Sequence, residues 1–190
     1  MTRFLSLAAF ALLFAPLASA QVGFGVRAGL NTTTVIPDND VDIVDRQPRL
    51  GFVGGAYAEV PVGPVAIQPE VLFSQKGVNR EDAANGDVRV NYLEVPVLLK
   101  AGLPVSDLLD VDVFAGPALA VKLSDSVDGD FDGGSFNQTT VAVAVGGAVA
   151  SGPFGVDLRY TFDVKDATEG AANDFRNRAF SVTGIYRFGR

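Results

Sequence analysis

From residue 22 to residue 188 apolar and polar or small side chains alternate with a period of two, the side-chain period of an extended strand and not the 3.6 of a helix. The clearest segment places Phe154, Val156, Leu158, Tyr160, Phe162 and Val164 on one face and Gly155, Asp157, Arg159, Thr161, Asp163 and Lys165 on the other. The first segment, roughly 22–31, sets Phe24, Val26, Ala28 and Leu30 against Gly23, Gly25, Arg27 and Gly29. The last sets Phe180, Val182, Tyr186 and Phe188 against Ser181, Thr183 and Arg187. Segments near 49–60, 65–76, 88–100, 110–122 and 138–150 bring the prediction to eight strands.

The connections alternate in length as regularly as the strands alternate in polarity. Pro61-Val62-Gly63-Pro64 and Ser151-Gly152-Pro153 read as tight turns, and Gly102 to Leu109 as a modest one. Residues 32–48, 77–87, 123–137 and 166–175 are long and polar. Short turns at one end and long loops at the other are the habit of transmembrane β-barrels. About twelve residues at about 3.3 Å each, tilted near 40°, also span a hydrocarbon layer of about 25–30 Å. The pattern predicts an all-β fold: an eight-stranded, antiparallel, up-and-down transmembrane barrel with both ends periplasmic and four external loops. A soluble, lipocalin-like periplasmic ligand carrier has the same strand count, but its apolar residues face inward.

Two segments keep the period poorly. Val141 to Ala150 is apolar or Gly on both faces, as small side chains filling a narrow lumen would be, and putting Leu93, Val95, Val97 and Leu99 outside leaves Leu98 inside. Pro69, Pro96 and Pro117 fall within strands, where a missing N–H predicts local bulges.

At the start of the chain, Arg3, the apolar run Phe4 to Phe14 and the small-residue site ending at Ala20 predict a cleaved signal peptide over 1–20. The barrel domain is then 21–190. The apolar run is too short for a spanning helix.

Composition narrows the chemistry. The 190 residues include no His, no Cys and no Trp, with 48% hydrophobic residues and mean hydropathy +0.26. Without His or Cys there is no His-based triad, no thiolate nucleophile, no disulfide and no ordinary zinc or iron site. Fifteen basic residues against 22 acidic give a net charge of −7, which is unsuited to nucleic acid. No cofactor and no catalytic residue are expected.

The run Ile67-Gln68-Pro69-Glu70-Val71-Leu72-Phe73-Ser74-Gln75-Lys76-Gly77, followed by Tyr92-Leu93-Glu94-Val95-Pro96-Val97-Leu98-Leu99-Lys100 and by Phe114-Ala115-Gly116-Pro117, resembles the PorT-like outer-membrane β-barrel family of the Bacteroidetes and their relatives. The resemblance covers essentially the whole chain after residue 20 and implies an eight-stranded outer-membrane barrel without implying an activity. Tyr186-Arg187-Phe188 resembles the aromatic-x-aromatic assembly signal read by the barrel assembly machinery.

On this register the inward face carries Arg27, Glu59, Gln68, Glu70, Glu94, Asp157, Arg159, Asp163 and Arg187. Eight strands enclose a bore that side chains just fill, so these charges must pair or meet water. Two readings follow: an ionic plug that rigidifies the wall, or a narrow, gated, cation-preferring pore past Glu70 and Glu94. Among the loops, Asp128-Gly129-Asp130-Phe131-Asp132-Gly133 matches the first half of a calcium loop, but its twelfth position is Thr139, where the motif needs Glu. Asp128, Asp130 and Asp132 are therefore a weak metal candidate beside the plainer reading of a solvated acidic loop, as is Asp38-Asn39-Asp40-Val41-Asp42. Tyr57, Tyr92, Tyr160, Tyr186, Phe73, Phe162 and Phe188 are candidates for interfacial girdles, or are simply strand formers. The expected role is structural or surface-interactive and not catalytic, in a monomer whose partners are outer-membrane lipid, lipopolysaccharide and, during assembly, the barrel machinery.

Overall fold

The computed structural model describes residues 22–37, 46–80, 88–103, 105–106, 108–127, 139–166 and 175–189. They form eight strands: β1 (Gly23–Pro37), β2 (Arg46–Val62), β3 (Val65–Arg80), β4 (Val88–Leu103), β5 (Asp110–Val127), β6 (Thr139–Ser151), β7 (Phe154–Asp166) and β8 (Phe175–Phe188). Each strand pairs antiparallel with its neighbours in the chain, and β1 pairs with β8 from Phe24↔Phe188 to Pro37↔Phe175. The sheet is a closed barrel, so no edge strand is left with unpaired backbone groups. We call the end with the short turns, the start of β1 and the end of β8 the turn end, and the other the connection end.

The turns follow from their glycines. Gly63 and Gly152 have φ of 63° and 58° and each precedes a proline in a two-residue turn, the arrangement of a II′ hairpin. The longer β4–β5 turn is held by Ser106, whose Oγ accepts from the N–H groups of Leu108 and Leu109, both at 3.1 Å.

Alternation sorts the side chains as the sequence predicts. Val26, Leu30, Val71, Val97, Leu99, Val113, Val156, Leu158 and Val182 are exposed on the outer wall, while Arg27, Glu70, Asp157, Arg159 and Thr183 are each less than 5% exposed inside it. This inverts a soluble barrel, and a continuous apolar exterior of this extent belongs against lipid. Inside, β6 contributes Ala142, Ala144, Ala148 and Ala150, small enough to leave the bore to longer chains from the other strands. Leu98 is fully buried in an apolar layer with Phe114, Ala144, Ala148 and Ile185.

Three expectations need correction. The strands run further than the hydrophobic pattern does: β1 continues to Pro37, β3 to Arg80 and β5 to Val127, through residues read above as loop. Ladder hydrogen bonds do not depend on side-chain polarity, so pairing persists where neither face is apolar. Second, register does not shift at Pro69, Pro96 or Pro117. Tyr57↔Glu70 and Val60↔Ile67 flank Pro69 in one register, as Pro96↔Ala118 and Leu99↔Ala115 flank Pro117. Each proline keeps its partner on one side, Pro69↔Val97, Pro96↔Ala118 and Pro117↔Val143, and the ladder lapses only on the other. A missing donor costs a hydrogen bond toward one neighbour without requiring an inserted residue. The shifts lie elsewhere, at Pro48/Val53, Asn91/Tyr92 and Val141/Ala142, nearer the connection end. Third, Tyr57 and Tyr92 point inward at 7% exposure and belong to no girdle.

Of the remaining girdle candidates, Phe73 is exposed on β3, and the others sit on the wall at two levels of β7 and β8. Phe154, Tyr186 and Phe188 cluster at the turn end with ring centroids 5.2 Å apart in both adjacent pairs. Tyr160, Phe162 and Phe180 lie toward the other end, Tyr160 pairing with Phe180 across the strands. Phe180 and Phe188 are eight residues apart on β8, or about 20 Å along the membrane normal at a tilt near 40°. Residues 1–20, and the acidic segments at 38–42 and 128–133, lie outside the described residues.

Candidate functional site

The inward charges separate into three levels. At mid-height, β1 brings Arg27, β3 brings Gln68 and Glu70, β7 brings Asp157 and Arg159, and β8 brings Thr183. Arg159 grips both carboxylate oxygens of Glu70, at 2.7 and 2.9 Å, in the bidentate geometry a planar guanidinium favours. Arg27 reaches Glu70 at 3.3 Å, donates to Asp157 with its other terminal nitrogen, and donates to Thr183 Oγ1 at 2.6 Å. Gln68 Nε2 donates to Glu70 Oε1 at 2.7 Å. Two guanidinium groups and two carboxylates therefore neutralise one another across the bore, linking strands far apart in sequence. Phe114 completes the level, its ring 4.9 Å from the Arg159 guanidinium carbon.

The turn end holds a second cluster. Lys100 contacts Glu59 at 2.7 Å and Asp112 at 3.0 Å, while Arg187 contacts Asp110 at 2.6 Å and Asp112 at 3.1 Å. The third lies toward the connection end, where Lys76 pairs with Glu94 at 2.6 Å and sits 5.3 Å from the Tyr92 ring centroid. Asn31 donates to Ser74 Oγ at 2.9 Å at about the same level.

Of the expected lumen network, Arg27, Glu70, Asp157 and Arg159 meet as one unit. Glu94 does not join them; it is held by Lys76. Asp163 is half-buried on the inner face of β7 near that pair. Glu59 and Arg187 belong to the turn-end cluster. Lys76, Lys100, Asp110 and Asp112 were not singled out from sequence, yet the signal was there. Lys100 shares the parity of Glu94 and Leu98, and Asp112 alternates with Val111 and Val113. Tyr186 and Phe188 are exposed on β8, which closes the barrel against β1. Asp128, Asp130 and Asp132 lie outside the described residues, so their metal candidacy stays an expectation.

The arrangement leaves little free volume. A void of about 10 Å³ lies among Arg27, Tyr57, Gln68, Lys100, Phe114, Ala148, Asp157 and Ile185, between the mid-height and turn-end clusters. That is space for about one water. Glycines let the wall close around this filling. The Tyr57 ring occupies the place a Cβ on Gly25 would take, 2.3 Å from it, and the Phe114 ring covers Gly146 in the same way at 2.6 Å. A bore crossed by buried, mutually neutralised charges is built to hold its shape.

The family whose sequence profile matches the chain is described as outer membrane protein beta-barrel domain, and the match covers residues 14–169. No curated protein matches. Among solved structures, Neisserial surface protein A superposes with a TM-score of 0.54 at 15% identity, over 87% of this chain and 97% of that one. The outer membrane protein OprG from Pseudomonas aeruginosa superposes with a TM-score of 0.50 at 10% identity, over 88% of this chain and 96% of that one. At such identities the likeness is one of fold.

Proposed function

This chain belongs to the outer membrane protein beta-barrel domain family and resides in the outer membrane, and from that premise we propose that it is a sealed, non-catalytic barrel whose role is structural and surface-interactive. Its finer placement is with the PorT-like barrels, on the motifs Ile67 to Gly77, Tyr92 to Lys100 and Phe114 to Pro117. It is exported by a signal peptide over residues 1–20, works as a monomer, and reaches the membrane through the barrel assembly machinery, with Tyr186 and Phe188 as the assembly signal. The turn end faces the periplasm and the four acidic connections face outward, where they meet lipopolysaccharide and surface partners.

The observation that supports a sealed barrel over a pore is the Arg27–Glu70–Arg159–Asp157 unit across mid-height. An open cation path needs unneutralised carboxylates facing water. Here Glu70 is 1% exposed between two arginines. The ligand-carrier alternative needs an apolar cavity, whereas this interior is ionic at three levels.

Planar-bilayer recording tests the reading. Pure, folded protein should give no discrete openings, and the Glu70→Ala, Asp157→Ala double variant, which unpairs the central arginines, should alter the leak baseline if it inserts. Discrete cation-selective openings from the unmodified protein would replace the sealed-barrel reading with the pore.

A further inference from the structure

The void of about 10 Å³ inside the bore has a lining of two chemistries. Phe114, Ala148 and Ile185 belong to the apolar cluster around Leu98 and offer no hydrogen bond. The rest of the lining is polar: Arg27, Tyr57, Gln68, Lys100 and Asp157. A space of this size holds one water where two to four polar groups meet it.

Each polar member brings a group that its other contacts do not consume. Arg27 is 3% exposed and commits its terminal nitrogens to Glu70, Asp157 and Thr183, yet its Nε is buried with no partner among the described residues. An N–H in that position gives up its hydration on folding and gains nothing from protein in return. Lys100 meets two carboxylates, Glu59 and Asp112, with an ammonium that carries three hydrogens. The Tyr57 hydroxyl accepts from Arg187, which leaves its own hydrogen to donate. Gln68 gives its amide nitrogen to Glu70 and keeps its oxygen as an acceptor. Asp157 accepts from Arg27 and Arg159 and has lone pairs to spare.

We infer that this void is a binding site for one ordered water, which accepts from Arg27 Nε–H and from Lys100 or Tyr57 and donates to Gln68 Oε1 and Asp157. An ion suits the lining poorly, since a cation would stand against Arg27 and Lys100 and an anion against Asp157. The water joins the mid-height unit to the turn-end cluster. Hydrogen bonds and ion pairs then run unbroken from Asp110, half exposed at the turn end, through Arg187, Asp112 and Lys100 to Arg27, Glu70 and Arg159.

This inference rests on the sealed-barrel reading, and one experiment separates the two. In folded protein in nanodiscs with ¹⁵N-labelled arginine, paired NOESY and ROESY spectra record cross-peaks between water and the arginine Nε–H protons, and tell a bound water from proton exchange. Arg27 should give a peak of the sign that a long-lived water produces. Arg159, which does not line the void, should give none. Ala148→Val sets two methyl groups into the void and should lose the Arg27 peak, whereas Ala148→Gly only widens the space and should keep it. Folded-barrel migration on unheated gels is checked for each, and where Ala148→Val does not fold, the unmodified protein and Ala148→Gly decide. No peak at Arg27 in the unmodified protein, its loss in folded Ala148→Gly, or an undiminished peak in folded Ala148→Val would overturn the water site and leave the seal standing. Equal peaks at Arg27 and Arg159, of the sign that briefly resident water gives, would show a hydrated bore and overturn the sealed-barrel reading itself.

Discussion

Glu70 is the residue on which the interior turns. It is 1% exposed, takes both terminal nitrogens of Arg159, and is shared with Arg27 and Gln68. Removing its charge leaves two buried guanidinium groups to share the one carboxylate of Asp157, so Glu70→Gln should lower stability by about 3–5 kcal/mol, measured by urea unfolding in lipid vesicles. Glu94→Gln should cost less, because the Lys76–Glu94 pair is the more accessible of the two. Gly29 is critical for a steric reason: a Cβ there would stand 2.1 Å from the Val182 carbonyl oxygen, a backbone atom of the adjoining strand that cannot swing aside. Gly29→Ala should therefore destabilise the folded barrel by about 1–3 kcal/mol in the same assay. Inward Arg27, Asp157 and Arg159 were legible in the sequence because each occupies the polar phase of a regular apolar alternation. Which acid meets which base was not legible, since pairing depends on how far each strand is staggered against the next. The inward turn of Tyr57 was hidden because an aromatic suits either face of a strand, and only the neighbouring Gly25 makes room for it inside.

At the level of the strands, β7 shows how much period two can determine. Val156 and Leu158 are each 50% exposed outside, and Asp157 and Arg159, which alternate with them in sequence, are buried. Placing a charge on that outer face, as Val156→Arg does, should cost about 2–4 kcal/mol near the bilayer midplane, read as a lowered urea midpoint in vesicles. Strand count and the facing of the charged and aliphatic residues followed from this periodicity, and strand order from the alternation of short and long connections. The strand ends did not, because β1, β3 and β5 continue through polar residues whose side chains no longer report a buried face. The prolines misled for a related reason: a lost N–H is visible in sequence, but whether a neighbouring strand absorbs it without an added residue is decided by the ladder. Val141/Ala142, where a shift does occur, carries no proline to announce it.

As a whole the molecule is an inverted protein, with its ionic groups at the axis and its apolar groups at the periphery. Closure between β1 and β8 makes that inversion possible, since it leaves no strand edge with its row of backbone groups open to the lipid layer. The three charged levels then fill the bore together with the apolar cluster around Leu98, which lies opposite Gln68. This arrangement is most directly tested by spin labels, one per molecule, at Val156, Leu158 and Val182 on the wall and at Ala144 and Ala148 in the bore, each introduced as a cysteine into a chain that has none. In vesicles the wall labels should collide freely with dissolved oxygen and little with a water-soluble nickel reagent, while the bore labels are shielded from oxygen. Bore labels with lipid-like oxygen accessibility, or wall labels open to the nickel reagent, would contradict the account.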